Sequence, residues 1–144
     1  MDDDERELTE ITVEELLRRY AGGERDFTNV AIDDWREDLP KGIDLSGINL
    51  EGSYLRVDFS GAILKKANFR SNVWDLVAWE DVDFSGSDMT GIENVNTYFF
   101  IRCNFSNTIW NQAILWQASF MGCDLTGVNF DDAKLIEVRF KDKS

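Results

Sequence analysis

From Cys103 to Phe140 a small residue precedes a large apolar one by two positions, and the pair recurs every five residues: Cys103 and Phe105, Thr108 and Trp110, Ala113 and Leu115, Ala118 and Phe120, Cys123 and Leu125, Val128 and Phe130, Ala133 and Leu135, Val138 and Phe140. A helix repeats about every 3.6 residues and a strand about every 2. Neither sustains a period of five, so the unit is a short repeat that buries its apolar side only by stacking on its neighbours. Nothing in the pattern is chemistry. Function has to be sought in what the stack leaves on its surface.

The same rhythm runs back to Ile43, with core centres at Leu45, Leu50, Leu55, Phe59, Leu64, Phe69, Trp74, Trp79, Phe84 and Met89. One residue is missing between Leu55 and Phe59. Between 90 and 102 the spacing favours Asn94 and Phe99 as centres with one extra residue before Phe105. The rival pair, Val95 and Phe100, would put Glu93 and Tyr98 into small-residue slots. Two earlier units centre on Phe27 and Ile32, and residues 33–42, which hold the sole proline, break the rhythm. They read as an excursion whose Trp35 and Leu39 fold back onto the stack. Upstream, Thr12-Val-Glu-Glu15 is a capping box that predicts a helix over 13–21, ended by Gly22-Gly23. Val13, Leu16, Leu17 and Tyr20 share one face of it. So short a helix needs a surface to lie on, and the open N-terminal end of the stack supplies one. The organisation is therefore an acidic tail and capping helix over 1–24, then repeats over 25–144.

Stretches such as Ile43-Asp-Leu-Ser-Gly47, Val82-Asp-Phe-Ser-Gly86 and Cys123-Asp-Leu-Thr-Gly127 resemble the pentapeptide-repeat family, whose unit is A(D/N)LXX. The lead-in from Leu16 to Phe27 is similar to the N-terminal region of many cyanobacterial members. The resemblance implies an all-β fold, a right-handed quadrilateral parallel β-helix with four pentapeptides per coil. Twenty centres from Leu45 to Phe140 then make five coils, or five to six with the first units. Trp74, Trp79 and Trp110 are bulky for centres, Asn94 is polar, and Asn72 fills a small slot, so local irregularity is expected there.

Composition closes off several functions. The chain has 144 residues and a formal charge of -13, with no histidine and two cysteines. Residues 1–15 hold 8 acids against 1 base and residues 43–144 hold 14 against 9, so much of the charge sits in the head. No basic stripe exists to neutralise phosphates, which argues against direct nucleic-acid binding. No apolar run is long enough to cross a membrane, and the acidic N-terminus is unlike a secretory signal, so a cytoplasmic setting is expected. Asp81 to Gly86 begins like a calcium loop, but the acid that should close it comes one residue late, at Glu93. Cys103 and Cys123 fall in inward slots one coil apart and read as free packing thiols. No cofactor, metal or catalytic residue is expected, and the protein is not read as an enzyme.

What remains is surface. On the faces beginning at Leu45 and Leu50, the residues flanking each centre are mostly polar, with Ile63 and Ile109 as exceptions. On the face of Leu55, Trp74, Asn94, Leu115 and Leu135 the flanks include Tyr54, Val73, Val95, Ile114, Trp116 and Ile136, with Leu76 one further out. The adjoining face adds Ala78, Tyr98, Phe100 and Met121. An apolar corner of this size calls for a cover: a protein partner, a second copy in a homodimer, or the 33–42 excursion. The expected function is a non-catalytic protein-interaction module or scaffold. The alternative implied by the resemblance is a DNA-mimicking modulator of a type II topoisomerase such as gyrase.

Overall fold

Two residues beyond most core centres the backbone turns a corner with positive φ, and this converts a period of five into a four-sided coil. Gly47, Gly86 and Gly127 take φ of 75°, 72° and 72°, while Lys66, Gln112 and Gln117 adopt the same region at 52°, 62° and 55°. At Gly127 a side chain would also run into the Asn107 carboxamide of the coil below. The computed structural model describes residues 7–142; the first six residues of the acidic tail lie outside the described residues.

The fold is the expected right-handed parallel β-helix. Two adjoining sides are true sheets. One has seven strands in the order β1 (Thr9–Glu10), β2 (Val30–Asp33), β3 (Tyr54–Arg56), β4 (Val73–Trp74), β6 (Glu93–Asn94), β8 (Ile114–Trp116) and β10 (Lys134–Ile136). The other has four: β5 (Ala78–Glu80), β7 (Phe99–Ile101), β9 (Ser119–Met121) and β11 (Arg139–Lys141). The solenoid makes about seven turns rather than five to six. The added layer comes from β1, a segment assigned to the tail, which pairs in parallel with β2 through Thr9 with Val30 and Glu10 with Ala31.

The remaining two sides are ladders of single bridges, such as Asp44 to Ile63 to Asp83 to Asn104 to Asp124. Their sequence explains this. An Asp or Asn before the centre accepts a hydrogen bond from the amide two residues on, as in Asp44 with Ser46 (2.9 Å), Asn68 with Arg70 (2.9 Å), Asp83 with Ser85 (3.0 Å) and Asn104 with Ser106 (2.9 Å). Such Asx turns bend the chain at once, so no strand extends. On the sheet sides most of those positions hold Tyr, Val, Ile, Ala or Ser, and the backbone stays extended.

The core is a set of stacked side chains, including Phe84 on Phe105 at 5.0 Å and Phe100 on Phe120 at 5.0 Å. The expected irregularities are matched pairs. Trp74 donates its indole N–H to Asn72 Oδ1 (3.2 Å) and Trp110 to Thr108 Oγ1 (2.8 Å), so the small slot two residues earlier satisfies the bulky centre. Trp79 donates to the Val57 carbonyl (2.7 Å).

Helix α1 spans Val13–Ala21, and Val13 and Leu16 are buried against the end of the stack. Thr12 caps it by accepting the Glu15 amide (3.1 Å). Glu15 does not complete the capping box: its carboxylate turns to Arg19 (3.2 Å), and the Val13 amide is taken by Asp34 Oδ2 (2.8 Å) from the excursion. Tyr20 donates its hydroxyl to the Ser46 carbonyl (2.7 Å), which fixes the helix to the first full coil.

Residues 33–42 stand in for the first rung of the four-stranded side. Asp34 N–H bonds Arg56 O (3.1 Å), Gly42 N–H bonds Gly61 O (2.8 Å), and Leu39 is buried in the core. Trp35 stays outside, flanked by the guanidinium groups of Arg36 and Arg56 at 4.7 and 5.3 Å. The excursion therefore lies at the N-terminal end of the solenoid.

Candidate protein-docking face

The two sheets meet at one corner, and every irregularity of spacing in the repeat falls there. Core side chains across it are four residues apart from Leu55 to Phe59, five from Trp74 to Trp79, six from Asn94 to Phe100, and five again from Leu115 to Phe120. The six-residue rung corrects the sequence reading. Asn94 is a centre as expected, but its successor is Phe100, which is fully buried, and Phe99 is 40% exposed. The extra residue is a bulge: the amides of Tyr98 and Phe99 both donate to the Val77 carbonyl, at 3.0 and 3.1 Å. Thr97, not Tyr98, fills the inward small slot, and its hydroxyl oxygen accepts the Leu76 amide (3.0 Å). A second exchange happens one coil earlier. Leu76, expected outside, packs against the core, and Val77, expected inside, is 56% exposed.

Of the ten candidate residues, Phe100 belongs to the core and Leu76 leans on it. Tyr54, Val73, Tyr98, Ile114, Met121 and Ile136 are half-buried, and Val95 and Trp116 are exposed at 50% and 47%. The strand register places them. Tyr54, Val73, Glu93, Ile114 and Lys134 form one row across the seven-stranded sheet. Arg56, Asp75, Val95, Trp116 and Ile136 each follow a core centre and form the next. Around the corner, Phe99 stands between Ala78 and Ser119, whose small side chains leave it prominent. The Phe99 outcome could have been found in the sequence only by weighing a half-changed register, Asn94 with Phe100.

The corner itself is not apolar. Asp75 accepts hydrogen bonds from Tyr54 and from Asn96 (2.8 Å), and Gln117 donates to Glu137 (3.0 Å). Burial and the hydrogen bond to Asp75 push the Tyr54 hydroxyl well above its ordinary pKa. Two apolar surfaces thus straddle a polar edge, with Trp116 and Val95 on one side and Phe99 on the other. A shallow depression beside Phe99 is lined by Tyr98, Gln117, Ser119, Glu137 and Arg139. Among the described residues no group of three or more His, Cys, Asp or Glu could hold a metal ion, and no helix is long and apolar enough to cross a membrane.

Four sides, left-handed corners and stacked inward side chains define a parallel β-solenoid whose outer faces carry what the molecule presents. Residues 93–144 match the family model of the pentapeptide repeat region, and residues 41–71 match that of pentapeptide repeats. The chain belongs to the pentapeptide-repeat family. No curated protein matches it. Among solved structures it is similar to the pentapeptide repeat protein Rfr23 of the cyanobacterium Cyanothece 51142, at 22% identity and a TM-score of 0.34, over 74% of this chain and 65% of that one. It is similar to HetL of Nostoc sp. strain PCC 7120, involved in heterocyst differentiation regulation, at 14% identity and a TM-score of 0.30, over 90% and 94% of the two chains. QnrB1, a plasmid-mediated fluoroquinolone resistance protein, gives 14% identity and a TM-score of 0.40 over 91% and 72%.

Proposed function

We propose that the protein is a non-catalytic interaction module, working in the cytoplasm, that docks another protein on its seven-stranded sheet with Trp116 at the centre of the contact. The observation that carries this reading is the pair Trp116, at the end of β8, and Val95, just beyond the end of β6, both about half exposed with Ile114 and Ile136 beside them. Large aromatic side chains of this kind anchor protein interfaces. The backbone beneath them is held by Trp116 pairing with Ile136 on one side, by the Asn94 carboxamide on the other, and by the Val95 amide donating to the Trp74 carbonyl (2.8 Å), so the surface is presented with little ordering cost on binding. The turn-built faces instead carry Asx-turn acids and cross-coil pairs such as Arg70 with Asp88 (3.0 Å), which suit contact with water.

The test uses Trp116→Glu and Ile114→Lys, each checked for an unchanged circular dichroism spectrum. Sedimentation reads self-association, and capture from extracts of the source organism reads a foreign partner. Loss of either in both variants supports the face. Folded variants that associate and capture as the wild type does would remove this assignment. A gyrase supercoiling assay covers the DNA-mimic alternative, in which inhibition would depend on the acidic turn faces and not on Trp116.

A further inference from the structure

The small slots on the side of Leu45, Leu64, Phe84, Phe105 and Leu125 hold Ile43, Ala62, Val82, Cys103 and Cys123. The two cysteines are consecutive in this column. Asn104 bridges Asp124 in parallel, and the Asp124 amide donates to the Cys103 carbonyl (3.1 Å), so the coils are in register at the thiols. In-register residues on neighbouring parallel strands lie about 4.8 Å apart, inside the Cα range of about 4.4–6.8 Å that a disulfide spans.

Both sulfurs lean the same way. Cys103 S–H points to the Trp79 carbonyl (3.5 Å) and Cys123 S–H to the Phe100 carbonyl (3.2 Å), and Trp79 and Phe100 are themselves partners on adjacent strands. Phe100 is on the coil of Cys103 and Trp79 on the coil before it, so the two sulfurs lean in parallel, each toward the preceding coil. Their access differs. Cys103 is buried, whereas Cys123 is only half-buried, because it opens the last described coil and no described layer covers it. Both are free, as expected, but only Cys103 is fully enclosed.

We propose that Cys123 and Cys103 form a thiol-modification site for low-molecular-weight disulfides of the glutathione class, with Cys123 as the attacking thiol and Cys103 as the resolving one. The Cys123 thiolate attacks one sulfur of the small disulfide. That S–S bond breaks, a mixed disulfide forms on Cys123, and one small thiolate leaves and takes up a proton. Cys103 loses its proton and attacks Cys123 Sγ, which expels the second small thiolate and closes a Cys103–Cys123 bond. The protein gives up two hydrogens and two electrons, and one small disulfide becomes two thiols. Order of reaction follows access and acidity. The interaction between the two thiols holds Cys123 down, while that interaction and burial push Cys103 up. The bond would staple the last described coil, where Leu135 and Phe140 are exposed, to the coil beneath it.

The experiment incubates the folded full chain with oxidised glutathione and reads intact mass and non-reduced peptide maps over time. In the wild type, a transient glutathione adduct on Cys123 should give way to a cross-link with loss of two hydrogens. Cys103→Ala, which copies Ala62 of the same column, should stop at a stable adduct on Cys123. Cys123→Ala should stay unmodified until it is unfolded. The wild-type time course decides by itself: a persistent adduct, first modification at Cys103, or two free thiols under conditions that oxidise a free dithiol would each overturn the proposal.

Discussion

The side chain of Asn94 serves Trp116 as a neighbouring strand would. Its Oδ1 accepts the Trp116 N–H at 2.8 Å, and its Nδ2 donates to the Trp116 carbonyl at 2.9 Å and to the Thr97 carbonyl at 2.6 Å. A polar residue in an apolar column is thereby fully used, and β6 ends at Asn94 without leaving β8 unpaired. The same arrangement holds the backbone that presents the Trp116 indole to solvent.

Asn94→Ala should leave these Trp116 groups without partners, at about 1–3 kcal/mol for each one that stays dry. Urea denaturation gives the total. The local effect should appear in Trp116 fluorescence, compared in a Trp116→Phe background, and Asn94→Ala should also weaken partner capture while Val95→Thr leaves stability nearly unchanged.

Asn72 and Trp74 should behave as one unit. Asn72→Ala removes the acceptor of the buried indole N–H and the donor to the Leu50 carbonyl (2.7 Å). It should cost about 1–3 kcal/mol, and part of that cost should vanish when Trp74 is Phe. A double-mutant cycle by chemical denaturation measures the coupling, and additive costs would separate the two residues.

Phe105 lies stacked on Phe84 and edge-on to Phe100 at 5.5 Å. Phe105→Ala should cost about 3–5 kcal/mol because a rigid column cannot collapse into the gap. Ser106→Ala, on the outside of the same turn, should stay within about 0.5 kcal/mol.

Acid should weaken the turn ladders. Asp81 is held below the ordinary aspartate value of 3.8 by the hydrogen bond from Arg102, and Asp124 by the Thr126 amide and hydroxyl. At Asp88 burial acts upward but is outweighed by hydrogen bonds from Thr90 and Arg70, so its value is lowered too. With folded values below unfolded ones, the unfolded chain binds protons first as the pH falls. The stabilisation is complete above the ordinary aspartate value and is lost as the pH drops through the folded values. Thermal unfolding followed from neutral pH into that acid window should show a smaller loss for Asp88→Asn than for the wild type, and equal losses would contradict the assignment.

Much of the fold was legible because the repeat is local. The Asp or Asn before a centre, the centre itself and the left-handed residue two beyond it lie within four consecutive residues, so each bridged turn states its own conformation in sequence. The helix over 13–21 was legible for the same reason, its Thr12 cap and Gly22-Gly23 stop being contiguous with it. The candidate face was legible as alternation along strands at Tyr54, Val73, Ile114, Trp116 and Ile136.

The corner between the sheets was not. Whether Phe99 or Phe100 turns inward depends on Val77, which accepts two amides from the next coil, and on Thr97, which must meet the Leu76 amide; both partners are about twenty residues away in the chain. The exchange of Leu76 for Val77, the capture of the Val13 amide by Asp34 and the extra layer made by Thr9 and Glu10 are likewise contacts between coils. The unit, its stacking and its polar turns are written in each repeat, because they follow from hydrogen bonds and packing within it. Which aromatic residues reach the surface is settled between coils, because an inserted residue can be absorbed on either side of a centre and the coils above and below select the side on which the Tyr98, Phe99 and Leu76 amides find acceptors.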